Sequence, residues 1–160
     1  MATLTLRAMT DADLDAVTEL WHAGWRAGHL RIVPDALLAQ RDRASFRTRL
    51  ELSLSDCFLA EADGALAGFI RLKGRELDQF YVAPDLIGTG VAGQLIGLAE
   101  DALRARGVRE AYLIASVGND RAIRFYEKQG WRNCGVETAR VETLDAPVSL
   151  RVVRFEKRLT

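Results

Sequence analysis

Glycines at three positions of Gly88-Thr89-Gly90-Val91-Ala92-Gly93 stand between an apolar run and a helical pattern. Residues without a Cβ let successive backbone N–H groups approach an anion at the positive end of the following helix. The chemistry that this spacing offers is the binding of a phosphate or pyrophosphate; the plain alternative is a turn that lets helix pack on strand. A Walker-type nucleotide loop needs Lys and then Ser or Thr after its last glycine, and here Gln94 and Leu95 follow Gly93. A dinucleotide fold needs an acid at the end of the next strand to hold the ribose hydroxyls. That strand, AYLIAS, ends at Ala115-Ser116 with no acid before Asp120.

Upstream of the loop, Glu76 and Asp78 stand two apart in ELDQFYVA. Alternate side chains of a strand share a face, so both acids are expected beside Phe80 and Val82. A carboxylate in a cleft can serve as a general acid or base; a solvated or ion-paired strand residue is the alternative for each. Trp21, Trp25 and His29 recur at four-residue spacing and fall near one helix face. Packing on a sheet explains the tryptophans. Cys57 and Cys134 are isolated thiols, read as small hydrophobes and not as a disulfide or zinc framework. No metal is expected. The run Arg41-Asp42-Arg43 and the tail residues Arg151, Arg154, Lys157 and Arg158 read as solvated faces.

The elements that must position these residues follow from periodicity. Residues 3–8 alternate as an opening strand, and Thr10 with Asp13 caps a helix over about 11–28. Short helical pieces follow at 34–39 and 46–54. CFLAEADGALAGFIRLKG predicts two strands joined by Asp63-Gly64, a turn in which both residues can take positive φ. A strand over 76–83 ends at Pro84 and leads into a long helix running from Leu86 to Gly107. A buried strand at 109–116, a helix capped by Asn119 and a closing antiparallel hairpin over 131–158 complete the chain. The sum is a mixed α/β (α+β) fold with helices on both faces of one sheet and a parallel crossover only at its centre.

FYVAPDLIGTGVAGQLIGLAEDALRARG resembles the cofactor-binding segment of the GNAT superfamily of acyl-CoA-dependent N-acetyltransferases. Its core is similar to the family's (Gln/Arg)-x-x-Gly-x-(Gly/Ala), with Ile87 standing where Gln or Arg is usual. A second segment, Asn119 to Trp131, is similar to the family's Asn-x-x-Ala-x-x-Phe-Tyr-x-x-x-Gly-(Phe/Trp) helix. The resemblance implies one domain over residues 1–160 with a mostly antiparallel central sheet of about seven strands. It implies that backbone N–H groups of Gly88, Thr89, Gly90, Val91 and Ala92, in the loop bounded by Ile87 and Gly93, cradle the pyrophosphate of acetyl-CoA. Phe80, Tyr81 and Val82 would lie along the pantetheine arm, and a backbone N–H there would meet the thioester carbonyl. Asn119 and Phe125 fall on the cofactor side. Tyr126 matches the general acid that protonates the departing thiolate; an aromatic packed beside Phe125 is its alternative. Glu76 matches the usual place of a general base, with Asp78 second, and the stretch from Trp25 past His29 would wall the acceptor pocket.

Composition bounds the remaining classes. At 160 residues the chain suits one core, and folding hides roughly 70% of the surface of such a chain. Twenty-two basic residues balance twenty-two acidic ones, so the field that gathers nucleic acid is missing and no nucleic-acid partner is expected. No run approaches the ~18 apolar residues of a membrane span and the start lacks a leader pattern, so the expected location is cytoplasmic with no membrane partner. The expectation is thus an acetyl-CoA-dependent enzyme acting on an amine. A silent CoA-binding sensor and a nicotinamide enzyme are the alternatives. The closing hairpin offers an edge on which a homodimer could form.

Overall fold

The computed structural model describes residues 3–160; Met1 and Ala2, part of the start searched for a leader, lie outside them. The strands are β1 (Thr5–Ala8), β2 (Cys57–Ala62), β3 (Ala65–Lys73), β4 (Glu76–Val82), β5 (Glu110–Ser116), β6 (Arg132–Val141) and β7 (Val148–Arg158). The helices are α1 (Leu14–His29), α2 (Asp35–Leu38), α3 (Arg43–Leu52), α4 (Val91–Ala105) and α5 (Asp120–Lys128). One sheet runs in the order β1-β2-β3-β4-β5-β7-β6. Every neighbouring pair is antiparallel except β4 and β5, which α4 connects. No helix among the described residues is long and apolar enough to cross a membrane.

Local chemistry explains the boundaries. Asp63 and Gly64 take φ of 52° and 77°, so both turn residues are left-handed and their twist matches the flanking strands. The Thr10 N–H donates to Asp13 Oδ2 at 2.9 Å and anchors the start of the first helical segment. The helix expected from Leu86 begins later, at Val91. Pro84 opens a short 3-10 turn, and Gly88 and Gly90 at φ of 84° and 89° hold a backbone that a right-handed helix cannot continue. Asn119 Oδ1 accepts from the Ala122 N–H at 3.4 Å and caps α5.

Two cores cover the two faces of the sheet. On one, α4 supplies Leu95, Ile96, Ala99 and Leu103 against Ile70, Leu72, Leu77, Leu113 and Phe155. On the other, Trp21 and Trp25 of α1 and Phe46 and Leu50 of α3 pack on Leu59, Phe69 and Val152. Burying this apolar surface, mostly aliphatic under α4 and largely aromatic under α1, gives each face its main stabilisation. Several expectations change on folding. Cys57 is buried, as expected of a small hydrophobe, but Cys134 is exposed. Arg41 is buried, because it lies under the β6–β7 connection and donates to the Glu142 carbonyl. Lys157 leaves the solvated face as well: its Nζ donates to Glu100 Oε2 at 3.0 Å and to the Gln129 carbonyl at 2.9 Å.

Gly68 of β3 sits where the sheet meets α4, and a Cβ there would stand 2.8 Å from Leu95 Cδ2 and 2.9 Å from the Tyr81 carbonyl oxygen. The leucine methyl can move, but the strand backbone cannot. Gly68→Ala is expected to cost about 1–3 kcal/mol, read as a lowered urea midpoint at unchanged slope. Gly97 of α4 has nothing within 4 Å of such a Cβ. Gly97→Ala is expected to stabilise by about 0.5–1 kcal/mol in the same measurement.

Candidate active site

The parallel pair at the centre of the sheet scarcely pairs. Glu76 opposite Tyr112 is the single register pair between β4 and β5 among the described residues, sealed by Tyr112 N–H donating to the Arg75 carbonyl at 3.2 Å. From there β5 follows β7 in unbroken register from Glu110 to Ser116, and β4 follows β3. The Ala83 N–H donates to the Ala67 carbonyl across β3 at 2.8 Å. By alternation, Val82 and Phe80 turn their N–H and C=O groups toward the gap that β5 has left. A cavity of about 530 Å³ opens there, lined by Phe80, Tyr81, Ile114, Ser116, Asn119 and Tyr126 together with residues of α1 and the β6–β7 connection.

The glycine loop does not line this cavity; it stands beside it at the N-terminus of α4. A Cβ at Gly88 would meet nothing within 4 Å, so the outer side of the loop is open. The first N–H groups of a helix have no intrahelical acceptor, and here the Gln94 N–H is the one that reaches back to Gly90, at 3.4 Å. Gly88, Gly90, Val91, Ala92 and Gly93 therefore suit an anionic guest. Thr89 differs: its N–H donates to the Leu86 carbonyl at 3.2 Å, and its hydroxyl binds the same oxygen. The Val91 side chain is buried, and Ile87 is exposed.

Tyr126 reaches the cavity from α5 inside an aromatic cage. Its ring centroid lies 6.1 Å from Phe80, 5.3 Å from Phe125, 6.5 Å from Trp131 and 5.7 Å from Phe155. Phe80 and Phe125 stack at 5.6 Å. Burial raises the pKa of the Tyr126 phenol, so it stays protonated at neutral pH.

The two acids of β4 do not share a face with Phe80 and Val82. Leu72 pairs with Leu77 and Arg71 with Gln79, so Asp78 is one residue too many and makes a β-bulge. Past the bulge the alternation is offset. Phe80 and Val82 pack into the α4 and α5 face. On the α1 side, Gln79 accepts from Trp21 Nε1 at 3.1 Å and Tyr81 joins the α1 core. Asp78 is bound by Arg71 Nε at 2.6 Å and by Gln79 Nε2 at 3.3 Å. Among the described residues Glu76 accepts from the Tyr112 hydroxyl alone, at 3.4 Å. Burial, and then the charge of Asp78, raise its carboxyl pKa from 4.5 to about 7. Both acids line the cavity.

Trp25 and His29 also line it, stacked at a centroid distance of 5.0 Å. Burial lowers the His29 pKa, and its Nδ1–H donates to the Trp25 carbonyl at 2.9 Å, leaving Nε2 as an acceptor. Unforeseen in the sequence are Arg41, Arg49, Arg71 and Glu142, which share the wall. Glu142 Oε1 accepts from Arg49 at 3.2 Å and from Arg71 at 3.1 Å. Burial alone would raise the Glu142 carboxyl, but these two arginines hold it down at about 2. A signal existed: Arg71 interrupts the apolar run GFIRL, and Arg49 sits at helical spacing from Phe46 beside Leu50. Among the described residues no group of His, Cys, Asp and Glu gathers as metal ligands.

Comparison with known proteins adds descent to this geometry. The model of the acetyltransferase (GNAT) family matches residues 14–131. An uncharacterized N-acetyltransferase of Methanocaldococcus jannaschii is 27% identical over 140 residues, covering 81% of this chain; the chain spans 61% of that relative. The crystal structure of a GCN5-related N-acetyltransferase from Rhodopseudomonas palustris is 26% identical at a TM-score of 0.75, covering 99% of this chain and 97% of that one. Spermidine N-acetyltransferase of Vibrio cholerae, solved with CoA and spermine, shares the fold at 22% identity and a TM-score of 0.71, over 98% and 96% of the two chains.

The raised Glu76 carboxyl has a thermodynamic consequence. Between 4.5 and about 7 the folded chain holds a proton there that the unfolded chain has lost, so stability falls as pH rises through that window. Glu76→Gln removes this loss. Its stability relative to the parent is expected to climb from about pH 5 to about pH 7 and then level off, measured as urea midpoints across that range.

Proposed function

The chain belongs to the acetyltransferase (GNAT) family, and from that premise we propose that it is an N-acetyltransferase moving the acetyl group of acetyl-CoA directly to a primary amine. The observation that carries the reading is the splay of β4 from β5, which leaves strand N–H groups unpaired beside an anion-ready helix start. Acetyl-CoA supplies an activated acyl group and a thiolate that can leave. Gly88, Gly90, Val91 and Ala92 would hold its pyrophosphate through backbone N–H groups, with Ile87, Thr89 and Gly93 shaping the loop. Asn119 and Phe125 would flank its arm.

The chain's own residues do the rest. Phe80, Tyr81 and Val82 form a rigid ledge, because β3 holds the other edge of β4. An N–H fixed on that ledge stabilises negative charge as it builds on the acyl oxygen, without reorganising during the reaction. Glu76 takes a proton from the incoming ammonium, directly or through a water, and a carboxyl with a pKa of about 7 is suited to do so near neutrality. Asp78 is committed to Arg71 and acts on Glu76 through its charge. Tyr126, kept protonated by its aromatic cage, gives its proton to the thiolate. Trp25 and His29 wall the acceptor side.

Calorimetric titration with acetyl-CoA, with NAD as the control, tests the cofactor. Saturable heat is expected for acetyl-CoA alone and is expected to vanish in Gly90→Arg, since Gly90 sits at φ 89° in the loop. Tyr126→Phe should keep acetyl-CoA binding and lower kcat by about 100- to 10,000-fold. Parent kcat/KM should rise through pH ~7, and Glu76→Gln should flatten that rise. Binding without turnover of any amine would make the chain a CoA sensor, and no binding would end the reading.

A further inference from the structure

Three arginines in the wall of the acceptor cavity are out of balance with its acids. Arg41, Arg49 and Arg71 are exposed by only 6%, 4% and 4%, and all three line the cavity. Arg71 binds Asp78, and Arg71 and Arg49 share the Glu142 carboxylate. Arg41 reaches no carboxylate among the described residues; its Nη2 donates to the main-chain carbonyl of Glu142 at 2.5 Å. Nε and Nη1 of Arg41 and Nη1 of Arg49 have no hydrogen-bond partner among the described residues and almost no accessible surface, so a ligand in the cavity reaches them only as the wall around them shifts. Two of three buried guanidiniums thus carry idle donors; Asp78 and Glu142 are the carboxylates bonded to the three, and with Lys73, Arg140, Glu76 and Asp145 the wall holds five cationic side chains against four carboxyls. Glu76, whose carboxyl is raised to about 7, is not fully charged near neutral pH.

A buried cation without its counterion is costly, and orphaned buried donors are rare unless a ligand completes them. Burial, and then the charge of Arg49, lower the Arg41 pKa to about 10, which marks the same imbalance. We infer that the amine accepted by this enzyme carries a carboxylate, which Arg41 binds with help from Arg49, so that the acceptor class is an amino acid or short peptide and not a polyamine. The planar fork of a guanidinium matches a carboxylate or a phosphate. A carboxylate is favoured because the neighbouring Arg49 and Arg71 already enclose one, that of Glu142. A polyamine would bring further positive charge to a wall that has a surplus.

This inference rests on the acetyltransferase reading, and the test keeps the two apart. After acetyl-CoA binding has been established by titration, kcat/KM is measured for the twenty amino acids and for alanyl-alanine, each against its primary amide, with O-phosphoethanolamine and spermidine alongside. The best acid is expected to exceed its amide by about 100-fold or more, since the amide leaves the buried donors unpaired. Arg41→Gln should raise KM for that acid by about tenfold or more, leave acetyl-CoA binding intact and shrink the acid-to-amide ratio, with Arg41→Lys in between. Equal rates for acid and amide in the parent protein would overturn the inference while the transferase stands. So would preference for O-phosphoethanolamine or spermidine, or turnover of no acid at all. Failure of acetyl-CoA to bind would instead overturn the transferase, and this inference with it.

Discussion

The separation of β4 from β5 is the constraint on which the rest of this structure depends. Two parallel strands at the middle of a sheet would ordinarily satisfy each other's backbone groups, and unpaired buried groups are costly. Here the pairing is given up after one register pair, and each strand is held from its far side by an antiparallel neighbour. The gap stays open because its surroundings are rigid. α4 packs beneath the end of β4 at Gly68, and α1 packs above it at Gly24. A Cβ at Gly24 would lie 2.6 Å from the Tyr81 ring, so α1 can approach the strand only where it carries glycine. What the sheet loses in hydrogen bonds it leaves free for a ligand.

The two sides of this gap each raise the pKa of a proton-carrying group, in both cases chiefly by burial. On the α5 side, Phe80, Phe125, Trp131 and Phe155 surround Tyr126 and keep it neutral. On the α1 side, Glu76 lies partly buried next to the charge of Asp78, which brings its pKa close to neutrality. Both shifts run upward, so the phenol keeps its proton at neutral pH while the carboxyl exchanges its own near there. The bulge at Asp78 is what separates them. In an unbroken ladder that paired Asp78 as well, Glu76 would share the face of Phe80, and both proton-carrying groups would crowd the same wall.

The charged half of the cavity is assembled from parts far apart in the chain. Arg41 follows α2, Arg49 belongs to α3, Arg71 to β3 and Glu142 to the end of the β6–β7 hairpin. Arg49 also stacks over the Trp21 ring, with its guanidinium carbon 4.4 Å from the centroid, so the cluster is bound into the α1 core. Through Glu142 it draws the closing hairpin onto the cavity. The same side chains therefore hold the hairpin and line the cavity, and of these three arginines Arg41 is the one with no carboxylate partner among the described residues.

Much of this was legible in residue order because local rules decide it. The Asp63-Gly64 hairpin, the stop at Pro84, the glycines before α4 and the Asn119 cap each depend on backbone preferences within a few residues. The same locality made the glycine loop and the Asn119-to-Trp131 helix readable as a family resemblance. Periodicity also marked Trp21 and Trp25 as a buried face of α1. It failed on β4, where alternation assumes an unbroken ladder, and nothing in ELDQFYVA shows that β3 will skip Asp78. It failed on Arg41, a charge that local sequence places in water and that the β6–β7 connection, about a hundred residues later, covers. The sequence alone determined the elements, the glycine loop and the family; the tertiary structure decided which face each acid took, which arginines were buried, and where charge was left unmatched. Those outcomes depend on register and desolvation between segments distant in the chain, and no local pattern encodes them.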